Sequence, residues 1–221
     1  MKKRLLTALI LVIGFVPVTN ASIITYTAGL VDDFALPEDP ATPSAALSDI
    51  INNHPTLSLQ TADYDSTVTN HWIAQTFPGL PENIIGAILE LKIKGIGGGV
   101  EDDDFWLGFF ETSLDDRVYR QPLGSRGGTV NGLATGPVDD WLVGSVTTLI
   151  LDLSALPLQV GTLNILPDLQ VNRFLDVIVA DDTAVDYMRL TITTVPEPAT
   201  LALFGIGLAG LGFARKKRKS A

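Results

Sequence analysis

The stretch IIGAILELKIKG, Ile84–Gly95, decides how this chain folds. Ala87, Leu89, Leu91 and Ile93 alternate with Ile88, Glu90, Lys92 and Lys94. A period of two places the apolar set on one face and the charged set on the other. That is a half-buried strand; a helix would repeat every 3.6 residues. NHWIAQTF, Asn70–Phe77, has the same character and precedes the turn Pro78-Gly79-Leu80-Pro81. FWLGFF, Phe105–Phe110, reads as a strand with large aromatics on both faces, and Leu149–Leu153 as another. FLDVIVADDTAVDYMRLTI, Phe174–Ile192, reads as a hairpin. Leu175, Val177 and Val179 face the core, the chain turns at Asp181-Asp182-Thr183, and Met188, Leu190 and Ile192 return. Strands punctuated by Gly, Pro and Asp turns predict an all-β domain, an antiparallel β-sandwich or jelly roll. Helix is sparse. Ala45–Asn52 has the length of about two turns, and the Pro/Ala-rich stretch Leu36–Ser48 is expected to be a loop over one end of the sandwich. No repeat of solenoid type is present.

Charge is partitioned along the chain. Lys2, Lys3 and Arg4 stand at the front and Arg215, Lys216, Lys217, Arg218 and Lys219 at the back. Between Ser22 and Thr194 there are 7 basic and 24 acidic residues, a net of −17. So acidic a segment repels nucleic acid and anionic lipid. The chain has no cysteine, which excludes disulfides, thiolate catalysis and cysteine-based zinc sites. The middle segment is nonetheless long enough to bury a core unaided.

The two ends read as addresses. In MKKRLLTALILVIGFVPVTNAS a basic start is followed by an apolar stretch, Leu5–Val16, then the helix breaker Pro17 and the small residues around Ala21. This is the layout of a secretory signal peptide, residues 1–21, with cleavage by signal peptidase expected after Ala21. At the other end, Val195-Pro196-Glu197-Pro198 continues neither strand nor helix, because two prolines fix φ and remove donors. The 16 residues Ala199–Ala214 are apolar. As a helix they rise about 24 Å, a little short of a hydrocarbon core of about 30 Å. Gly205, Gly207, Gly210 and Gly212 weaken that helix and permit close approach of another. The basic cluster Arg215–Lys219 stops translocation and stays in the cytoplasm. The expected organisation is therefore a signal peptide (1–21), an acidic β-domain (22–194) and a membrane-anchored tail (195–221).

Pro-Glu-Pro followed by ATLALFGIGLAGLGFARKKRK closely resembles the PEP-CTERM sorting signal of Gram-negative bacteria. The resemblance implies an exosortase, a membrane transpeptidase-like enzyme, as processing partner. It makes Val195, Pro196, Glu197 and Pro198 the recognition and processing site. The apolar run becomes a transient inner-membrane anchor, and Arg215, Lys216, Lys217, Arg218 and Lys219 the stop signal. It further implies export to the outer envelope, cell surface or extracellular matrix of a bacterium that makes exopolysaccharide, often in biofilm or floc. More loosely, WIAQTFPGLPENIIGAILELKIKG with FWLGFF looks like jelly-roll domains of other PEP-CTERM proteins, which implies a fold and no activity.

Candidate chemistry inside the domain is confined to acids and tryptophans. Gly97-Gly98-Gly99-Val100 leads into Glu101, Asp102, Asp103 and Asp104, and a second group is Asp181, Asp182 and Asp186. Hard cations such as Ca²⁺ take six to eight oxygens from carboxylates and carbonyls, which such loops supply. The same residues also read as solvated turns. Asp63-Tyr64-Asp65-Ser66-Thr67 begins like a calcium-binding EF-hand loop but has Val68 where the glycine is needed. His54 and His71 lack any accompanying GxSxG or HExxH pattern. Carboxylate pairs of the glycosidase kind are expected by chance among so many acids. Trp72 and Trp106 read as packing residues. Trp141, after Asp139-Asp140, also reads first as a packing residue, but of the three it is the ring best placed to be exposed and stack on a sugar. The functional expectation is a non-catalytic structural or adhesive protein of the envelope or exopolysaccharide matrix. A carbohydrate-binding module, with Ca²⁺, is the alternative, and a polysaccharide hydrolase comes third.

Overall fold

The computed structural model describes residues 21–35, 41–53, 71–97, 103–123, 134–135 and 142–195. The chain divides into two compact units. One is Ile23–Thr194; the other joins Met1–Ser22 to Val195–Ala221, and almost all of it lies outside the described residues.

The unit Ile23–Thr194 is mostly antiparallel β-structure with few helices. In chain order its elements are β1 (Ser22–Ala28), α1 (Ala45–Asn52), β2 (His71–Pro78), β3 (Ile84–Gly95), β4 (Asp104–Gly108), a 3-10 turn (Leu114–Asp116), β5 (Arg117–Pro122), β6 (Ala134–Thr135), β7 (Val146–Asp152), β8 (Leu156–Pro157), β9 (Thr162–Leu163), α2 (Leu166–Asn172), β10 (Phe174–Asp181) and β11 (Thr183–Thr194). A four-stranded sheet has the order β1-β11-β3-β7 and a five-stranded sheet the order β2-β10-β4-β5-β6. β8 and β9 form a small ribbon.

The alternation in β3 is carried out in full. Ala87, Leu89, Leu91 and Ile93 are at most 1 % exposed. They meet Leu190 and Ile192 of β11, Phe105 and Leu107 of β4, Ile73 and Phe77 of β2, and Val177 and Val179 of β10 in one apolar cluster. The core therefore lies between the two sheets. A second cluster lies on the far face of the five-stranded sheet. There Leu47 and Ile51 of α1 pack on Ala74, Ile178 and Phe110, flanked by Trp72 and Trp106. The helix has the predicted bounds, and its N-cap Ser44 accepts from the Leu47 N–H. Leu36–Ser48 is thus not wholly a loop over the sandwich end. It is helical from Ala45, because Leu47 and Ile51 share a face and need apolar cover.

The hairpin expected over Phe174–Ile192 does not form. β10 pairs with β2 and β4 in one sheet, whereas β11 pairs with β3 and neighbours β1 in the other. The Asp181-Asp182-Thr183 turn passes the chain from sheet to sheet. Both of its strands are apolar on the inner face, so local pattern is equally satisfied by pairing or by facing across the core.

Candidate functional site

The sequence points to three places: the C-terminal tail, the acidic loops and Trp141. Trp141, His54 and Asp63–Val68 lie outside the described residues, as do Glu101 and Asp102.

Asp103 and Asp182 are brought together, and the reason is structural. Asp103 is 1 % exposed. Its carboxylate accepts from the Asp182 N–H at 3.0 Å and from the Thr183 hydroxyl. Its own carbonyl accepts from the Leu123 N–H at 2.8 Å, and the Asp182 carbonyl accepts from the Ile96 N–H at 2.8 Å. Four loop segments are clamped at the corner where β10 hands over to β11. Gly97 serves the same corner. A β-carbon on Gly97 would stand 2.3 Å from the Asp182 carboxyl carbon, so any larger residue there would have to displace that buried side chain.

Asp104 is separate in role. It pairs with Arg120 at 2.6 Å on the outer side of the five-stranded sheet, where Trp72 and Trp106 meet edge to face at 4.7 Å. Burial pushes the Asp104 carboxyl up, and the Arg120 guanidinium only partly offsets that. The Arg117 guanidinium lies 4.8 Å from the centre of the Trp106 ring and occupies that face.

Asp186 is engaged far from any such cluster. It is the extra residue of a bulge between Val185 and Tyr187. Its carboxylate takes the Lys92 ammonium at 2.9 Å and the N–H groups of Phe34 at 3.1 Å and Asp32 at 3.3 Å. Asp33 also binds Lys92, at 2.7 Å. Asp33 and Phe34 have φ of 67° and 62°, a left-handed bend that lets successive N–H groups turn toward one carboxylate. Burial pushes the Asp186 carboxyl up, but Lys92 and these N–H groups outweigh it and hold it below the usual range. Among the described residues no group of three or more His, Asp or Glu is placed to hold a metal ion.

Sequence reading missed Asp176, which has no neighbouring acid to draw notice. It is wholly buried on the outer side of β10. It accepts from the Thr76 hydroxyl and from the Phe110 N–H at 3.0 Å. The Thr76 oxygen in turn accepts from the Ser44 N–H at 2.7 Å, tying the start of α1 to the sheet. With neutral donors only, burial pushes the Asp176 carboxyl up to about 6. Nearby, a groove of about 660 Å³ opens between Tyr26–Gly29, Thr42–Ser44 and Gln75–Pro78, with neutral polar groups along it.

The tail leaves from a well-held strand. β11 is a 12-residue strand between β1 and β3, paired to β3 as far as Thr194. Thr194 is buried, and Val195 after it is 47 % exposed. The change from ladder to exposed chain thus falls between Thr194 and Val195, one residue before Pro196. β1, which begins at Ser22, lies beside β11 in the sheet, so the first and last described strands are neighbours. Among the described residues no helix is long and apolar enough to cross a membrane; Ala199–Ala214 lies outside them.

No curated protein and no solved structure matches the chain. The tail is different. A sorting signal of the kind read there implies export to the cell surface or beyond, with exosortase as processing partner. Residues 194–219 match the family model of the PEP-CTERM protein-sorting motif, and the match begins at Thr194, the final residue of β11, the last strand among the described residues.

Proposed function

We propose that this is an exported structural or adhesive protein of the outer envelope or extracellular polysaccharide matrix. Its leader is removed after Ala21 and Ala199–Ala214 holds it transiently in the inner membrane. Exosortase then processes it at Val195-Pro196-Glu197-Pro198. The β-domain, a two-sheet sandwich, is the mature protein and acts without catalysis. The observation that carries this reading is the exit of β11 into the sorting motif at Thr194–Val195. Two prolines keep the next residues out of ladders and helices, and a processing enzyme needs such an unpaired peptide. Cleavage within the motif leaves β11, which ends at Thr194, intact. The non-catalytic part of the reading is supported by the use of acids as structural ties: Asp103 at the corner, Asp104 with Arg120, and Asp186 with Lys92.

Replacing Pro196-Glu197-Pro198 by alanines tests the sorting step. The expected result is retention of an unprocessed, membrane-bound chain. If a strain lacking exosortase still releases tail-less protein as before, the reading fails.

A second reading, a carbohydrate-binding module, is favoured by the groove at Tyr26, Thr42 and Gln75. Its volume of about 660 Å³ is that of a small-ligand site, and its lining is uncharged in an otherwise acidic domain. Binding to exopolysaccharide of the producing cells, with calcium and with chelator, tests it. Saturable binding lost with chelator brings in Ca²⁺ at the acidic loops; saturable binding kept in chelator directs attention to the groove and Trp141. Absence of binding in both conditions leaves the structural role.

A further inference from the structure

Helix α1 is fastened over a carboxyl group that has no cation. Asp176 stands two residues before Ile178 on the outer face of β10, and Ile178 shares a cluster with Leu47 and Ile51 of α1. One oxygen of Asp176 accepts from the Thr76 hydroxyl and the other from the Phe110 N–H at 3.0 Å. Each donor belongs to the fastening. The Thr76 oxygen accepts from the Ser44 N–H, and Ser44 caps α1 through the Leu47 N–H. Phe110 belongs to the cluster that holds Leu47 and Ile51. Just before the cap, the Thr42 N–H donates to Gln75 at 3.0 Å, and the Thr42 carbonyl accepts from the Thr76 N–H at 3.3 Å.

The charged groups on the elements around Asp176 are engaged elsewhere or exposed. Arg117 lies over the Trp106 ring and Arg120 pairs with Asp104. Asp116 accepts from the N–H groups of Thr112 and Ser113. Asp49 of α1, Glu111 and Asp115 line an outer groove between α1 and the loop after β4. β2 brings only His71, opposite Asp181 at the far end of β10. None of these groups pairs with Asp176. A buried carboxyl with neutral donors is stable as the acid; once ionised, it demands water. Water has one way in. Leu175 and Val177, on either side of Asp176 in β10, fill the core beneath it. Its flanks are closed by the ladders to β2 and β4, opposite Thr76 and Gly108. Above it lies α1, eight residues long, which buries only Leu47 and Ile51. A short element with so few buried contacts opens at lower cost than a ladder parts.

We propose that residues 41–53 form a proton-controlled flap, shut over the protonated Asp176 and released when that carboxyl ionises. The same residues wall the groove beside β1 through Thr42, Pro43 and Ser44, so the groove widens as the flap lifts. The device goes beyond the sorting role and depends neither on it nor on any ligand of the groove. Burial pushes the covered carboxyl up to about 6, and an open flap returns it to the ordinary value near 4. The shut flap is therefore fully favoured below about pH 4 and loses that advantage as pH rises through about 6. A gap of about two units makes opening up to about 100-fold more frequent at pH 7.5 than at pH 4.

Amide hydrogen exchange of the full chain, corrected for the intrinsic rate at each pH, reads the flap directly. The Ser48 N–H donates to the Ser44 carbonyl at 2.9 Å and the Asn53 N–H to the Asp49 carbonyl at 3.0 Å, so both report on α1. Their protection is expected to fall by up to about 100-fold between pH 4 and pH 7.5. At both ends of that range it is expected to stay below the protection of Leu89 and Leu91 in β3, which exchange only when the sheet parts. Asp176→Asn keeps the shape of the side chain and cannot titrate. In that variant the fall in α1 protection is expected to vanish, which separates Asp176 from every other acid that titrates in the range. The parent chain alone overturns the proposal if α1 is as protected as β3 at both pH values, because α1 then opens only with the whole domain. Protection of α1 that is flat in pH overturns it as well, as does a trend that survives Asp176→Asn.

Discussion

Asp186 and Asp176 are both wholly buried, one on each sheet, yet their carboxyls are pushed in opposite directions. Both lose water on burial, which disfavours the charged form. Asp186 has a cation, Lys92, and two backbone N–H groups, and these win. Asp176 has one hydroxyl and one N–H, and burial wins. The difference teaches that a partner cation together with backbone donors outweighs burial, and that burial wins where only two neutral donors face the acid. It also shows why acids in this domain do not by themselves mark a cation site.

The largest effect should come from breaking the stronger of the two. Lys92→Met leaves Asp186 buried without its cation, and about 3–5 kcal/mol of stability should go in denaturant titration at neutral pH. A loss under about 1 kcal/mol would mean that the N–H groups of Asp32 and Phe34 carry the carboxylate alone.

Asp176 sharpens the comparison through pH. Its folded value near 6 lies above the ordinary carboxyl value of the unfolded chain. The folded state therefore holds this proton more tightly. The contribution is fully present below about pH 4 and is lost as pH rises through about 6. Asp176→Asn cannot titrate. Measured against the parent, it should gain up to about 3 kcal/mol between pH 4 and pH 7.5. A stability difference that stays flat over that range would show that Asp176 is ionised in the fold at an ordinary value.

Asp103 lies between the two cases, since its ties are to an N–H and a hydroxyl at the crossing of the sheets. Asp103→Ala leaves the buried Asp182 N–H without this acceptor, at a cost of about 1–3 kcal/mol in thermal or chemical melts. Should the corner instead be a calcium site, added calcium would raise the melting temperature of the parent and not of this variant. The smallest change is expected at the surface: Ile150→Lys alone should alter stability by no more than about 0.5 kcal/mol.

Several of these features were legible beforehand, and the reasons are specific. β3 was readable because four apolar and four largely charged residues alternate over one half-buried strand. α1 was readable because Leu47 and Ile51 sit one turn apart behind a serine cap. β7 begins at Val146, earlier than the apolar run at Leu149, because Val146 and Thr148 face water and carry no periodic signal of burial. α2, with seven residues and no side-chain cap bond, was too short to show any period. The Asp103 tie joins residues 79 apart, beyond the reach of local pattern. Asp176 sat unnoticed among Leu175, Val177 and Val179, since an acid on the outer face of a strand ordinarily reads as solvated.

By itself the sequence determined the sorting motif and the β-character of the domain. A motif read as an extended peptide needs no fold to be recognisable, and the period of two is a property of consecutive residues. Only the tertiary structure decided that β10 and β11 belong to different sheets. It alone set Asp103 at their crossing, and it alone left β7 at an edge while its equally apolar neighbour β3 lies inside. Those outcomes depend on which strands lie side by side. Pairing within a sheet and packing across the core satisfy the same alternation, so partner choice is settled by the whole core at once.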